Sequence, residues 1–329
     1  MSYIVTGGAG FVGSNMVRKL NEKGISDVVI IDNYEEAKMP NLVGLQFIDY
    51  IDFSNGLASV KERLEAIDNV QGIFHIGANA DVLENDSKVM MVMNYEFSKL
   101  YCDFAVRHQV PFIYASSSAV YGNNPHQGGG LDHLLPHNIY AWSKWLFDKY
   151  TDGNKVRFQN NKIIGFRFFN VFGWGEFHKG KNANIVYRFY RMMQDKGCID
   201  LFKDEIVRDH VYVDDVAEVM YNAMMYNHFE NGIYNLGGNH PISHRRVADI
   251  VIETLIEEGV VAPKDTSEYI RMIDMPQELR EKFQFHTFAE GQLNLISEIT
   301  KGNEVKMKKY IQQLIQKDTR YGGKTRASL

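Results

Sequence analysis

Residues 3–15 read YIVTGGAGFVGSN, and this stretch decides the fold. Its β-branched start predicts a strand, and a helix is predicted to begin at Phe11 or Val12, directly after the glycines. Glycines at such positions allow a tight turn, a close approach of the backbone to a pyrophosphate, and packing of the helix on the strand. The helix N-terminus adds N–H groups and positive potential. We therefore expect a dinucleotide to bind here, at Gly7, Gly10, Phe11, Val12 and Gly13.

Asp32 supports the same interpretation from the next predicted strand. It ends the run DVVIID, 19 residues after Gly13. At about this distance a carboxylate in such a unit binds the ribose of adenosine. A glycine-rich turn alone would be weak evidence, but the strand, the helix and the carboxylate together predict a βαβ nucleotide-binding unit.

The rest of the chain continues the alternation of short β-branched runs with longer helical stretches. This alternation predicts an α/β fold of the Rossmann type, a doubly wound parallel sheet with helices on its faces. The predicted strands are SYIVTG (2–7), DVVIID (27–32), LQFID (45–49), QGIFHIG (71–77), VPFIYAS (110–116) and KIIGFRFF (162–169). Helices are predicted over residues 12–23, 57–67 and 87–108.

The alternation loosens after residue 170, where glycine, asparagine and aromatic residues become more frequent. We expect residues 1–170 to form the dinucleotide-binding Rossmann domain and residues 171–329 mainly a smaller substrate-binding lobe. Segments within about 206–240 are expected to return to the Rossmann domain, because NGIYNLGG (231–238) reads as a further strand of its sheet.

The composition excludes several classes of protein. With 45% hydrophobic and 23% charged residues, the chain resembles an ordinary globular protein. Its net charge of −5 offers no basic excess for nucleic acid. Cys102 and Cys198 have no metal-ligand spacing, so we expect no metal and two buried, reduced thiols. A strand begins at once and no apolar run approaches the roughly 20 residues of a membrane span, so we expect a cytoplasmic protein without membrane contact.

The sequence YAWSK contains Tyr140 and Lys144, four residues apart. On a helix they share one face, where an ammonium can lower the pKa of the phenol and hold a cofactor ribose. The same spacing also occurs at positions 34 and 38 and at positions 95 and 99, so spacing alone does not select the pair. For positions 95 and 99 we expect only an ordinary helix face.

Context selects Tyr140. It follows the predicted strand of VPFIYASSS, whose carboxyl end brings Ser116, Ser117 and Ser118 to the rim where such sheets bind ligands. A serine hydroxyl there can hold a substrate oxygen while the tyrosine moves its proton. These residues predict an acid/base site beside the dinucleotide.

The motifs TGGAGFVG, YASSSAVYG and YAWSK, in that order, resemble the extended short-chain dehydrogenase/reductases that act on nucleotide sugars. Within that group, the chain is similar to the ADP-L-glycero-D-manno-heptose 6-epimerases over nearly all of residues 1–240. The similar segments are FHIGANA, MNYEFSK, VPFIYASS, NIYAWSKWLFDKY, IIGFRFFNVFG, EFHKG, RDHVYVDDVAEV and NGIYNLGG. Beyond residue 240 the resemblance thins to scattered positions such as FQFHT at 283–287.

The resemblance implies roles for individual residues and a tightly bound NADP or NAD. The implied cofactor-binding residues, besides the glycine-rich loop, are Asp32, Asn33, Lys38, Asp49, Tyr50, Asn94, Tyr140 and Lys144. The implied catalytic residues are Ser117, Tyr140, Lys144 and Lys179. The implied substrate-binding residues are Ser117, Asn170, His178 and Arg208. Ser117 is preferred to its neighbours because it lies five residues before Gly122 of VYG, as in the family.

Lys179 lies in FGWGEFHKGKN (172–182), a stretch without helical or strand periodicity. If a sugar carbon is oxidised and then reduced on its other face, its oxygen moves away from the group that first deprotonated it. Tyr140 cannot easily serve both positions, and a desolvated lysine can act as the second acid/base. FHKG matches the family segment that supplies this base. Lys181 is expected to be a solvated loop residue.

Three departures from the family pattern bear on specificity. Asn79, Ala80 and Asp81 stand where the family tends to carry small hydroxyl residues. The loop at 122–138 contains three consecutive glycines and is expected to form a mobile lid. The family favours NADP, with Lys38 as the partner of the 2′-phosphate, yet Glu35 and Glu36 would repel that phosphate.

The leading hypothesis is an epimerase of a nucleotide-linked heptose that forms a homo-oligomer. A 4-epimerase or a net dehydrogenase acting on another nucleotide sugar remains open, because the oxidation step is shared. Dehydratases of the superfamily place an acidic pair directly after their catalytic hydroxyl residue, whereas Ser118 and Ala119 follow Ser117 here. A non-catalytic NAD(P) sensor would be expected to lack one or more catalytic residues. Ser117, Tyr140 and Lys144 are all present.

Overall fold

The computed structural model describes residues 1–81, 84–128, 130–131 and 134–320. Its strands are β1 (Ser2–Thr6), β2 (Val28–Asp32), β3 (Asp49–Asp52), β4 (Val70–His75), β5 (Phe112–Ser117), β6 (Ile163–Phe168), β7 (Asn170–Phe172), β8 (Ile199–Phe202), β9 (Val207–Tyr212), β10 (Gly232–Leu236), β11 (Pro241–Ser243) and β12 (Ile270–Ile273). Its α-helices are α1 (Phe11–Glu22), α2 (Leu57–Glu65), α3 (Ser87–Met91), α4 (Phe97–His108), α5 (Ile139–Gly153), α6 (Ile185–Lys196), α7 (Val213–Met225), α8 (His244–Glu257), α9 (Gln277–Lys282), α10 (Asn294–Thr300) and α11 (Asn303–Arg320).

Seven parallel strands form the main sheet in the order β10-β6-β5-β4-β1-β2-β3. The strand order reverses between β1 and β4, and ligands bind in such sheets at the carboxyl ends beside this point. The Rossmann-type fold is therefore confirmed. The prediction that NGIYNLGG returns to the main sheet is also confirmed, because β10 pairs with β6.

Successive residues of the central strands serve two separate cores, because side chains alternate across a sheet. Val5 of β1 packs with Met16 and Leu20 of α1 and with the apolar face of α7. Ile4 packs on the opposite face, where α2, α4 and α5 supply the partners. Helices therefore cover both faces of the sheet.

A third core lies in the smaller lobe, between α6, α8 and α11. Two small sheets, β11-β9-β7 and β12-β8, accompany it. Because β7 follows β6 after one residue, the smaller lobe begins at the rim of the main sheet. The boundary drawn at residue 170 stays a prediction.

Three sequence predictions need correction. The third strand spans Asp49–Asp52, whereas it was expected at 45–49. The helix expected over 87–108 is interrupted by a π-helical segment, Val92–Glu96, between α3 and α4. Cys102 is buried as expected, but Cys198 is partly exposed just after α6. Across the described residues, no helix combines the length and apolarity needed to cross a bilayer.

Candidate active site

The glycine-rich loop joins β1 to α1 as the sequence predicts, and α1 begins at Phe11, followed by Val12. Gly7 has a φ of +68°, which favours glycine. A Cβ on Gly13 would lie 2.0 Å from the carbonyl oxygen of Gly7, so no side chain fits between helix and strand. Gly10 is the N-cap of α1 without a side-chain cap, which leaves the first N–H groups of the helix facing the crevice.

Asp32 ends β2 beside this loop. Its carboxylate accepts hydrogen bonds from the backbone N–H groups of Ala9 (3.0 Å) and Gly10 (3.2 Å). Burial raises its pKa, while the charge of the nearby Lys38 and the hydrogen bonds from the N–H groups of Ala9 and Asn33 oppose the rise. A narrow glycine cradle, an uncapped helix N-terminus and a carboxylate at the next strand end fit a dinucleotide.

Lys38 lies on the side of the expected ribose. Its ammonium is 2.6 Å from the side-chain oxygen of Asn33, 3.5 Å from Asp32 and 3.1 Å from Glu35. Glu36 is exposed. The Tyr50 hydroxyl donates to the carbonyl of Asn33 (2.9 Å), which joins β3 to the same corner. The structure thus brings Asp32, Asn33, Lys38 and Tyr50 together.

Asp49 makes different contacts, and its assignment as a cofactor-binding residue stays a prediction. It is the first residue of β3, pairs in register with Val29 and forms an exposed ion pair with Arg63. The carboxyl end of β3 is Asp52, which pairs with Asp32.

Asn94 is fully buried within the π-helical segment. Its amide accepts a hydrogen bond from the N–H of Asn79 (2.8 Å) and donates to the carbonyl of Asn79 (2.9 Å) and to Ser143 (3.0 Å). It therefore fixes the loop after β4 against α5. Its assignment as a cofactor-binding residue stays a prediction.

Ser117 and Tyr140 meet at the carboxyl end of β5. The Tyr140 hydroxyl forms a hydrogen bond with Ser117, which opposes the rise that burial causes in the pKa of Tyr140. Asn138 caps α5 by accepting from the N–H of Ala141, which sets Tyr140 in the first turn of that helix. The two side chains are arranged for proton transfer to or from a shared oxygen.

Lys144 lies one helical turn after Tyr140 and is buried. Its ammonium donates to the carbonyl of Ala115 (2.8 Å), and burial lowers its pKa to about 8. The pKa of Tyr140 is raised, not lowered as the spacing argument predicts, because burial outweighs the other influences on it. A pKa of about 8 still leaves Lys144 mainly protonated near neutral pH.

A buried ion pair lies behind Lys144 that the sequence analysis missed. Asp148, one turn further along α5, pairs with Arg167 of β6 at 3.0 Å, and both side chains are inaccessible to solvent. Arg167 also donates to the hydroxyl of Tyr121 (2.8 Å). The carboxylate of Asp148 opposes the lowering of the Lys144 pKa. The available signal was the spacing of four residues between Lys144 and Asp148.

Lys179 lies in the 3₁₀ turn Phe177–Asn182, half-buried against the opening of α1. Its ammonium is 5.3 Å from the centre of the Phe11 ring, a cation–π distance. Burial lowers its pKa, and the charge of Glu176 opposes this. Lys181 is exposed, as expected. Lys179 and Tyr140 therefore approach the crevice from different elements.

His178 lies on the cofactor side of this turn. Its Nδ1 is 3.4 Å from the side-chain nitrogen of Asn41, which also donates to the carbonyls of Ala9 and Gly175. Burial, followed by the charge of Lys38, lowers its pKa. These contacts favour a role near the cofactor, and the substrate-binding role assigned to His178 stays a prediction.

Asn170 and Arg208 meet at the start of the smaller lobe. Arg208 donates to the side-chain oxygen of Asn170 (3.2 Å), and its guanidinium lies 4.9 Å from the centre of the Phe283 ring. Burial lowers the pKa of Arg208 to about 10. Its Nε is buried with no hydrogen-bond partner among the described residues, and the same holds for Nε2 of His210.

Arg188 of α6 adds a second cation that the sequence analysis missed. Its charge, like that of Arg208, acts on His244, whose pKa is also lowered by burial. Within the described residues, no carboxylate pairs with Arg188 or Arg208. Two arginines without a carboxylate partner, both acting on His244, are suited to a polyanion.

The segment FQFHT, where the resemblance thins, closes this part of the site. Gln284 donates to the carbonyls of Ser118 (3.1 Å) and Gly122 (2.7 Å). The Thr287 hydroxyl accepts hydrogen bonds from Asn170 (3.0 Å) and from the N–H of Asp209 (2.8 Å). The segment therefore connects the turn that follows β5 to Asn170, the hydrogen-bond partner of Arg208.

The other departures from the family pattern, at residues 79–81 and in the loop at 122–138, lie at the rim of the site. Asn79 is tied to Asn94, and Asp81 donates its N–H to the side chain of Asn79 (3.1 Å). In the expected lid, Gln127 is buried and its amide binds the carbonyl of His286 (3.1 Å). Gly129, Asp132 and His133 of this loop lie outside the described residues, so the mobility of the lid stays a prediction.

Comparison with known proteins agrees with this geometry. The model of the NAD dependent epimerase/dehydratase family matches residues 3–237. The chain belongs to that family, whose description indicates an NAD-type cofactor.

Relatives within the family narrow the class. The chain is 34% identical to the ADP-L-glycero-D-manno-heptose-6-epimerase of Fusobacterium nucleatum, covering 97% of this chain and 99% of the relative. The crystal structure of the ADP-L-glycero-D-manno-heptose-6-epimerase of Helicobacter pylori is 26% identical, with a TM-score of 0.76 and 95% of each chain covered. The UDP-N-acetylglucosamine 4-epimerase of Methanobrevibacter ruminantium shares the fold at 22% identity, with a TM-score of 0.78 over 96% of this chain and 98% of that one.

Proposed function

We propose that this chain is an NAD(P)-dependent epimerase that interconverts ADP-D-glycero-D-manno-heptose and ADP-L-glycero-D-manno-heptose. The observation that carries the proposal is that two candidate acid/base groups lie on different elements beside the predicted dinucleotide site. Tyr140 with Ser117 approaches from β5 and α5, and Lys179 approaches from the smaller lobe beside α1. The full-length similarity to the heptose epimerase of Fusobacterium nucleatum supports the choice of substrate.

The glycine-rich loop, Asp32 and Lys144 would hold the dinucleotide. The N–H groups at the start of α1 would bind its pyrophosphate, and Asp32 would accept from a ribose hydroxyl. Lys144 would hold the second ribose. When bound, NAD(P)⁺ supplies the chemistry of taking a hydride from carbon 6 of the sugar and later returning it.

Tyr140 exchanges the proton of the carbon 6 hydroxyl in one configuration of the sugar. Ser117 binds the same oxygen and, through its hydrogen bond, stabilises the phenolate form. Lys144 stabilises the same form electrostatically and is held by the carbonyl of Ala115. The ion pair of Asp148 with Arg167 lies behind Lys144 and helps to keep it protonated.

Lys179 exchanges the proton in the other configuration. The carbonyl intermediate is planar at carbon 6, so re-reduction on its second face requires the sugar to turn and the oxygen to move. A half-buried amine with a lowered pKa can donate to, or accept from, that second position. This assignment explains why a lysine occupies the desolvated end of the loop at residues 173–182.

Arg208, Arg188 and Asn170 are suited to bind the diphosphate of the substrate. Both guanidinium groups lack a carboxylate partner within the described part of the chain, so a diphosphate would supply the missing negative charge. Anchoring the diphosphate leaves the heptose free to turn about its linkage. Such a turn is what the two-base mechanism requires.

For the cofactor we infer that NADP is accepted and that NAD is not strongly excluded. Asp32 favours a free ribose hydroxyl, while Lys38 favours a 2′-phosphate and is partly neutralised by Glu35. Titration of the apoprotein with both dinucleotides tests this, together with Lys38→Ala, which should weaken NADP more than NAD. A preference above about a hundredfold in either direction would contradict the inference. A cytoplasmic homo-oligomer stays a prediction.

The decisive test of the activity is incubation of the purified protein with ADP-heptose and no added cofactor. An epimerase with tightly held cofactor turns over many times, because the hydride is returned. A net dehydrogenase stops after its bound cofactor is reduced, and a sensor produces no change. Either of these last two outcomes would contradict the proposed function.

A further inference from the structure

Glu176 is a buried carboxylate three residues before Lys179, with no part in the mechanism described above. Its side chain is inaccessible to solvent. One oxygen accepts from the N–H of Gly173 (3.3 Å) and from the hydroxyl of Tyr310 (3.2 Å), and the other accepts from the N–H of Asn184 (2.5 Å). It therefore ties together both ends of the loop that carries Lys179.

The C-terminal helix α11 supplies one side of this arrangement. Tyr310 of α11 reaches Glu176 directly, and the ammonium of Lys317 lies 3.3 Å from the centre of the Phe177 ring. The loop that carries Lys179 thus packs against α11, and the carboxylate of Glu176 binds both of its ends. Fixed hydrogen bonds of this kind orient a neighbouring functional group.

The charges around Glu176 come from three elements. Within its own loop, Lys179 is the nearby cation, and His178 also feels the charge of that lysine. Tyr310 of α11 and Tyr187 of α6 are the other titratable groups whose titration senses Glu176. Burial raises the pKa of Glu176 to about 7, and Lys179 opposes this rise. Glu176 in turn opposes the lowering of the Lys179 pKa.

In the two-base mechanism, the electrostatic interaction between Glu176 and Lys179 bears on how Lys179 regains its proton. In each turnover one group accepts the proton of the sugar hydroxyl, and the other gives a proton to the carbonyl oxygen as the new hydroxyl forms. After a turnover in which Lys179 was the donor, it is a neutral amine and Tyr140 holds an extra proton. Lys179 must then regain a proton from water, while Tyr140 releases one to water.

We propose that Glu176 is the positioning residue of Lys179, fixing the loop and stabilising the ammonium form to which Lys179 must return. This rests on the proposed function, in which Lys179 is the second acid/base. Without the carboxylate, the loop loses the hydrogen bonds that join its ends, and the amine loses a nearby negative charge while keeping its contact with Phe11. The expected result is slower proton return and a change in the pH dependence of turnover.

The test compares pH–rate profiles of wild type, Glu176→Gln and Tyr310→Phe. In Glu176→Gln we expect kcat to fall about tenfold near pH 8, with KM changed less than about twofold. We also expect the limb of the pH–rate profile that reports the titration of Lys179 to move to lower pH. Tyr310→Phe keeps the carboxylate and removes one hydrogen bond, so the limb should move in the same direction by less. Glu62→Gln, at an exposed position of α2, is the matched control and should leave the profile unchanged.

Lys179→Met, measured in parallel, separates the two claims. If Lys179→Met is inactive while Glu176→Gln and wild type have superimposable profiles, the positioning role of Glu176 is wrong and the proposed function stands. If Lys179→Met turns over normally, the second base itself is wrong. Should Glu176→Gln not fold, Tyr310→Phe decides the matter, and an unmoved limb in that variant overturns the proposal.

Discussion

Replacing Lys179 by Met removes the second acid/base while keeping a side chain of similar length against Phe11. Loss of a positioned acid/base typically costs about 10²–10⁴-fold in rate, which corresponds to about 2.7–5.5 kcal/mol of barrier. The fold should tolerate the change. Burial disfavours the charged form of Lys179, so an apolar side chain at this position removes a penalty.

The assay follows the two heptose epimers by proton NMR and measures the cofactor released on denaturation. We expect Lys179→Met to lose epimerisation by at least about a hundredfold while its cofactor content and melting temperature match those of wild type. Lys181→Met is the matched control, because that side chain is exposed two residues further on. It should retain nearly full activity.

Two results would refute this reasoning. Turnover of Lys179→Met within threefold of wild type would mean that the protein needs no second base at this position. Loss of bound cofactor together with activity would mean that Lys179, lying against the first residue of α1, binds the cofactor phosphates instead.

Further predictions concern Tyr140 and the stability of the fold. Tyr140→Phe should lower kcat by about 10²–10⁴-fold without loss of cofactor, whereas Tyr95→Phe should be nearly silent, and equal activity of the two variants would remove Tyr140 from the mechanism. The pKa of Glu176 is raised from 4.5 to about 7, so the folded state binds this proton more tightly than the unfolded state. Its contribution to stability is present below pH 4.5 and is lost as the pH rises to about 7. At about 1.4 kcal/mol for each pH unit, the free energy of unfolding of Glu176→Gln minus that of wild type should increase by up to about 3 kcal/mol over this range, as measured by urea denaturation. A difference that is constant with pH would contradict the burial of an ionisable carboxylate.

Local chemistry accounts for the parts of the fold that the sequence predicts well. The turn at Gly7, the start of α1 at Phe11 and the position of Asp32 follow from sterics and spacing within a few dozen residues. The third strand does not, because the apolar run LQF precedes it and pairing with β2 selects Asp49–Asp52 instead. That pairing is a tertiary contact, which overrides local β-propensity.

The same distinction between local chemistry and tertiary contacts applies to the candidate active site. Ser117 and Tyr140 could be predicted because each lies at a recognisable strand end or helix start. The partner of Asp148 lies on β6, and the partner of Glu176 lies 134 residues away on α11. Neither pairing leaves a periodic signal in the sequence. Arg188 was likewise hidden, because an arginine on an amphipathic helix usually faces solvent.

The central claim is that one hydrogen leaves and returns to the same carbon of the sugar within a single active site. The most direct measurement uses ADP-heptose that carries deuterium at carbon 6, in ordinary water, with the product analysed by mass spectrometry and NMR. We expect the epimerised product to keep the deuterium at carbon 6, because the bound cofactor takes and returns the same atom. Replacement of the deuterium by solvent hydrogen would contradict it and would indicate direct proton abstraction from carbon.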